Sequence, residues 1–154
     1  MTGFLSTPYM LPVLTESKRS DLAYKMLLNE KKPGWLYEVG RGATTIWENW
    51  EGTLSQNHYS PGAVCQWLME TAAGIKQTGP GEFVLSPQPA PEGLSFAKGC
   101  YKSLYGDIVC GWRIEAGEVI YNFEIPRGMT AAVILPGAEA EVLEGGTYER
   151  RQRI

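Results

Sequence analysis

The sequence predicts an α+β chain in which helices and strands occupy separate stretches, with helices first and an antiparallel β-sandwich after them. Two observations carry this. Apolar residues recur at helical spacing up to Gly79-Pro80-Gly81, and beyond that point they alternate one in two. The chain's 154 residues, with 18 Gly and 10 Pro, leave room for two small domains joined by many turns. The boundary is placed at that glycine-proline break, giving a helical segment over residues 1–78 and a strand segment over 79–154.

In chain order, the stretch Pro8 to Leu14 is apolar on nearly all sides and reads as a helix that needs neighbours. Ser20 can cap the next helix, with Asp21 in its first turn and paired to Lys25, while Leu22, Met26 and Leu27 share a face. Pro33-Gly34 stops it. A further helix starts at Ser60-Pro61, buries a stripe of Val64, Trp67, Leu68, Thr71 and Ala72, and ends at Gly74. In the second half Ile108, Cys110, Trp112 and Ile114 form one face of a strand. Val119, Tyr121, Phe123 and Ile125 form one face of the next, and Ala116-Gly117 makes the tight turn between them. Further strands are expected near residues 82–85, 94–101, 130–135 and 147–152.

Composition narrows the function classes. A formal net charge of -3 offers nothing to a phosphate backbone, so nucleic acid is not an expected partner. No stretch reaches the ~18 apolar residues that a membrane span needs. A single His cannot build a His-rich metal site, and no metal or cofactor is expected. Cys65, Cys100 and Cys110 are odd in number and lack CxxC spacing, so free, mostly buried thiols are expected. Arg150, Arg151 and Arg153 read as a frayed or edge-protecting tail.

The densest cluster of unusual residues runs from Trp35 to Tyr59. Glycines flank Thr44-Thr45-Ile46-Trp47-Glu48-Asn49-Trp50, and His58 follows ten residues after Glu48. Desolvation beside aromatic rings raises a carboxyl pKa, which suits a general base. Spacing alone favours the plainer reading, in which Trp47 and Trp50 are core, Glu48 is a surface charge and His58 caps the next helix. Glu38 and Glu51 read as surface or supporting residues.

Four blocks of the helical half resemble bacterial α-L-rhamnosidases. They are Gly3-Phe4-Leu5-Ser6-Thr7-Pro8-Tyr9 running into Leu11-Pro12-Val13-Leu14; Ser20-Asp21-Leu22-Ala23-Tyr24; Pro33 and Trp35 to Trp50; and Asn57-His58-Tyr59 with Gly62-Ala63-Val64 and Trp67-Leu68. Pro87-Gln88-Pro89, Tyr105-Gly106 and Ile125-Pro126 extend the resemblance into the strand half. The Gly-Ala-Thr-Thr-Ile-Trp-Glu block at Gly42 to Glu48 is its most specific part. Two departures are Gly34, where relatives more often carry Ser, and Asn49, where they often carry Arg or Lys.

The resemblance implies that residues 1–78 are the last helices and active-site loops of an (α/α)6 barrel, with the strand segment as the C-terminal β-sandwich. It implies an inverting glycoside hydrolase acting on a rhamnose-containing glycan or glycoside. Glu48 falls on the family's general base and His58 on a residue binding rhamnose hydroxyls, with Trp35 and Trp50 as sugar-facing walls. The family's general acid lies in an earlier loop that nothing here resembles. This chain would therefore be inactive alone and would need the missing N-terminal part of the same enzyme. The apolar helix faces could also pair with a second copy as a homodimer. The competing reading is a non-catalytic carbohydrate-binding module, resting on Trp112 and the tyrosines of the strand half.

Overall fold

The computed structural model describes residues 3–90 and 93–154, so the first two residues of the helical segment lie outside the description. The chain forms two compact units, Met1–Trp67 and Leu68–Ile154. The first is helical and loop-rich. The second is built on a mixed sheet of six strands, so the α+β class holds.

In the first unit, α1 (Thr7–Glu16) buries only Thr7 and Leu11, while Tyr9 and Val13 stay exposed. The apolar surface expected of a helix that needs neighbours is present. Helix α2 (Ser20–Leu27) buries Ala23, Tyr24 and Leu27. Its inward stripe is thus rotated from the expected Leu22-Met26-Leu27 face. Asp21 takes both Nε and Nη2 of Arg19, at 3.0 and 2.9 Å, in place of Lys25. Arg19 is the residue just before the helix, so its guanidinium fork meets Asp21 two residues on without crossing a helical turn. Helix α3 (Trp35–Gly40) follows a backbone break at Gly34 and turns Trp35 and Glu38 inward. Helices α4 (Tyr59–Gly62) and α5 (Val64–Trp67) complete the unit. The Trp67 indole meets Tyr24 edge-on at 5.0 Å and donates to Thr15 Oγ1 at 2.9 Å, closing the small core.

The second unit opens on a π-helical turn, Leu68–Ala72, and its strands begin at Ile75, four residues before the Gly79-Pro80-Gly81 break. Its strands are β1 (Ile75–Gly79), β2 (Glu82–Leu85), β3 (Phe96–Ser103), β4 (Gly106–Glu115), β5 (Glu118–Val133) and β6 (Glu141–Arg153). The β4–β5 hairpin turns at Ala116 and Gly117, both at positive φ, as a two-residue turn requires. The inward faces are those the alternation names, from Ile108 to Trp112 and from Val119 to Ile125. The Trp112 indole donates to Ala72 O at 2.8 Å inside that core, so it is not a sugar platform.

Pairing is not antiparallel throughout. β2 runs parallel to the end of β5, with Phe83 opposite Ala131. The physical reason lies in β5 itself. Between Ile125 and Thr130 its register against β6 jumps, so that residues 126–129 stand opposite Gly145 alone. Pro126 cannot donate to a ladder and sits in this bulge, where no donor is needed. The long strand bends there and changes neighbour from β4 to β2. One continuous sheet thereby wraps a single core shared by Phe83, Leu85, Cys110, Tyr121, Phe123 and Val133.

Two smaller expectations also change. Cys110 is buried, and burial pushes its thiol pKa up, but Cys65 and Cys100 are exposed because each sits on the outward side of its element. Arg150 and Arg151 are not frayed. They lie in edge strand β6, where Arg150 grips Glu141 at 3.0 and 2.9 Å and Arg151 reaches Glu149.

Gly74 joins the π turn to β1 with φ +88, and a Cβ there would stand 2.2 Å from Pro87 N. Gly117 has φ +80 with nothing within 4 Å. Gly117→Ala should therefore cost about 1 kcal/mol, the backbone penalty alone. Gly74→Ala adds a clash with main chain and should cost more than ~2 kcal/mol. Denaturant melts of the two variants check this, and equal losses would refute it.

Candidate active site

The loop from Ala43 to His58 is held by a ladder of hydrogen bonds rather than by a regular element. Glu48 N donates to Ser55 O at 2.8 Å, and Ser55 N donates back to the Glu48 carboxylate Oε2 at 3.2 Å. His58 N donates to Ile46 O at 3.0 Å. The Thr45 hydroxyl closes on Gln56 O. Asn49 makes the turn: its Oδ1 accepts from Thr53 N and Leu54 N, and its Nδ2 donates to Thr53 Oγ1 at 2.8 Å. A short amide can close such a turn locally, which a long Arg or Lys cannot do. That accounts for Asn at this position in physical terms.

The ladder delivers Glu48, half-buried, to a cavity of about 280 Å³ lined by Phe4, Lys32, Trp50, Glu51 and Pro61 among others. Glu48 Oε1 has no hydrogen bond among the described residues. Glu51 shares this cavity and forms an ion pair with Lys32, which engages its charge. Lys32, Phe4 and Pro61 were not read as site residues in the sequence. No period marks them, and they come from three separated segments.

The other expected site residues border the cavity without lining it. Trp35 is buried, donates its indole N–H to Pro61 O at 3.0 Å, and meets Trp50 edge-on at 6.0 Å. It therefore backs the Trp50 wall. His58 caps α4 and stacks between Phe4 at 4.6 Å and Tyr59 at 5.0 Å. Its Nδ1 accepts from Ser60 N at 3.3 Å. A neutral imidazole that accepts at Nδ1 carries its proton on Nε2. Nε2 makes no hydrogen bond among the described residues, so it is a donor without a protein acceptor there.

The most deeply buried carboxyl of the site is one that the sequence reading took as a surface or supporting residue. Glu38 on α3 is 1% exposed. Its Oε2 accepts from Trp47 N at 3.2 Å, and its Oε1 has no partner. Burial raises its pKa above the ordinary carboxyl range, and the Trp47 hydrogen bond offsets this only in part. Spacing could not separate the surface from the supporting reading, because a lone Glu in a six-residue helix can face either way.

A second, open groove of about 570 Å³ lies on the strands, lined in part by Lys98, Arg113, Asn122 and Glu124. Arg113 there is engaged with Asn122 at 2.7 Å and with Glu115. Among the described residues no cluster of His, Cys, Asp or Glu could hold a metal ion, and no helix is long and apolar enough to cross a membrane.

Comparison with known proteins finds matches along nearly the whole chain. Residues 1–72 match the family model described as the bacterial α-L-rhamnosidase six-hairpin glycosidase domain, and residues 74–150 match the bacterial α-L-rhamnosidase C-terminal domain. An α-L-rhamnosidase of Formosa agariphila is 34% identical over 93% of this chain, and one of Streptomyces avermitilis is 32% identical over 98%. The chain spans 17% and 16% of their lengths. Among solved structures, native α-L-rhamnosidase from Aspergillus terreus superposes with a TM-score of 0.89 at 30% identity, over 97% of this chain and 19% of that one. The Streptomyces avermitilis α-L-rhamnosidase complexed with L-rhamnose superposes at 0.88 and 29% identity, over 99% and 18%.

The raised pKa of Glu38 sets a sign for stability against pH. The folded state keeps this proton where the unfolded chain releases it, so Glu38 costs stability as pH rises above the ordinary Glu value of about 4.3. Glu38→Gln removes that titration. The variant's melting temperature minus that of the wild type should therefore grow more positive from about pH 4 to pH 7. A difference that stays flat or falls across that range would contradict the assignment.

Proposed function

The chain belongs to the bacterial α-L-rhamnosidase family, and from that premise we propose that it supplies the general base of an inverting enzyme that hydrolyses terminal α-L-rhamnosides. In this reading its helices close an (α/α)6 barrel formed mainly by other parts of a longer protein, and its sheet is the C-terminal β-sandwich. The observation that carries the reading is the state of Glu48. Its carboxylate is pinned through one oxygen by Ser55 N–H, while the other oxygen is unengaged, at a cavity walled by the Trp50 indole.

Each group then has a role its surroundings suit. A base must take a proton from a water on the far side of the sugar from the leaving group. Glu48 Oε1 is the acceptor for that proton, and fixing Oε2 orients it without lowering access. His58 offers Nε2–H to a sugar hydroxyl, since Nδ1 is occupied by Ser60 N–H. The Trp50 ring provides a flat apolar wall for the sugar's C–H face and methyl group, held upright by Trp35.

Inversion also needs a carboxylic acid ~6.5–9.5 Å from the base to protonate the leaving oxygen. Glu51 is a poor choice because its carboxylate is engaged in an ion pair with Lys32. Glu38 is worse, since it is walled off from any substrate. The acid must come from elsewhere in the protein. Without it, general acid catalysis worth ~10²–10⁴-fold is lost, together with substrate positioning worth up to ~7–11 kcal/mol.

Glu48→Gln in the full-length protein should fold normally and lose at least ~10²-fold in kcat on an aryl α-L-rhamnoside. Near-wild-type turnover would reject the base. Proton NMR of the first product should show the β-anomer of rhamnose, and the α-anomer appearing first would reject inversion. The 154-residue chain alone should show no turnover.

A further inference from the structure

We propose that Glu38 is the positioning residue of the base, a buried carboxyl that fixes the backbone at Trp47 and so sets where Glu48 stands. The proposal rests on the reading of Glu48 given above.

Glu38 holds both ends of the loop that leads to the base. Its main-chain carbonyl accepts from Arg41 N and from Ala43 N, each at 3.0 Å, where the chain leaves α3. Its side chain accepts from Trp47 N at 3.2 Å, where the loop arrives at Glu48. The three residues before and at the base are thus each tied by one backbone group to a different anchor. Ile46 O goes to His58 N, Trp47 N to Glu38, and Glu48 N to Ser55 O. Ser55 belongs to the same ladder as Glu48, and His58 stands at the cap of α4. Of the three ties, the one from Glu38 is made by a buried side chain rather than by main chain, so it is the one that a substitution can remove.

The chemistry of the tie argues against a filler role. Glu38 is 1% exposed and one of its oxygens is unpartnered. A buried polar atom without a partner costs stability, and a leucine or methionine would fill the volume without that penalty. What only an acceptor at this point provides is a partner for the buried Trp47 N–H. Released from it, the Trp47–Glu48 peptide is free to rotate, and a displacement of about 1 Å at a reacting group costs on the order of 10²-fold in rate.

Glu38→Leu, Glu38→Asp, Glu38→Gln and Glu48→Gln, made in the full-length protein and assayed on an aryl α-L-rhamnoside, test this. Glu38→Leu should lower kcat by roughly 10- to 100-fold while KM stays within about twofold. Glu38→Asp keeps the acid but withdraws it from Trp47 N by one methylene, and should lower kcat at least about fivefold with KM again steady. Glu38→Gln keeps a carbonyl acceptor for Trp47 N–H and should stay within about threefold of wild type. Wild-type kcat in the Leu or Asp variant overturns the proposal, and so does a Gln variant that loses as much as Leu. If Leu does not fold, Asp decides on the same terms. Turnover in Glu48→Gln strikes down the base reading instead, whereas its loss with Leu and Asp unimpaired removes only the role of Glu38.

Discussion

The geometry of the site depends on a backbone hydrogen bond that no regular element supplies, from Trp47 N–H to a carboxyl buried on α3. A loop that carries a functional carboxylate faces two demands that pull apart. The carboxylate must meet water, so the loop sits at the surface, and a surface loop has few packing contacts to hold it still. In the proposed reading the half-buried Glu48 meets the first demand. The chain meets the second by tying three consecutive backbone groups to three anchors. A hydrogen bond shielded from water does not compete with solvent for its partners, as an exposed ladder rung must, and the tie from α3 differs from the other two in this way.

The strand unit solves a different problem. A six-stranded sheet left flat would bury one face and expose long edges. Here the corner at 126–129 bends β5, so that its first half serves β4 and its second half serves β2, while β6 follows it on the other side. The Phe83 and Tyr101 rings, at 5.2 Å, and the Tyr101 hydroxyl on Gln77 at 3.0 Å bring the two arms of the bent sheet together. Proline at the bend is consistent with the pairing pattern, since a ladder position there would have lost a donor. The long charged edge on β6, with its Arg–Glu pairs, then discourages a further strand from adding.

How much of this was legible in the sequence follows from the range of the contacts concerned. Alternation over 108–114 and 119–125 named the inward faces because a half-buried strand writes its environment directly into a period of two. Gly117 marked the hairpin because only a few residues take positive φ cheaply. β1 was not legible: Lys76, Gln77 and Thr78 are polar, and only Ile75 is buried. The parallel pairing of β2 was not legible either, since β3 and β4 intervene and no local rule fixes that direction. In the site, Glu48, Trp50 and His58 stood out because they cluster within a dozen residues. The Glu48 cavity was invisible because Phe4, Lys32 and Pro61 reach it from far apart in the chain.

Two carboxyls ten residues apart show why chemical type alone could not assign roles. Glu48 and Glu38 are the same side chain on the same stretch, yet one is wetted and pinned through a single oxygen, and the other is dry with its pKa raised. A general base must exchange protons with water, so the dry carboxyl is disqualified although burial raises its pKa. A perturbed pKa marks a site without naming the reacting group, because the environment that perturbs it can also seal it off. A tether has the opposite requirement. It works best where water cannot compete for the Trp47 N–H, which is where the dry carboxyl sits. In the proposed reading burial divides the labour between them, and the raised pKa of Glu38 follows from the burial that suits an anchor rather than from any part in proton transfer.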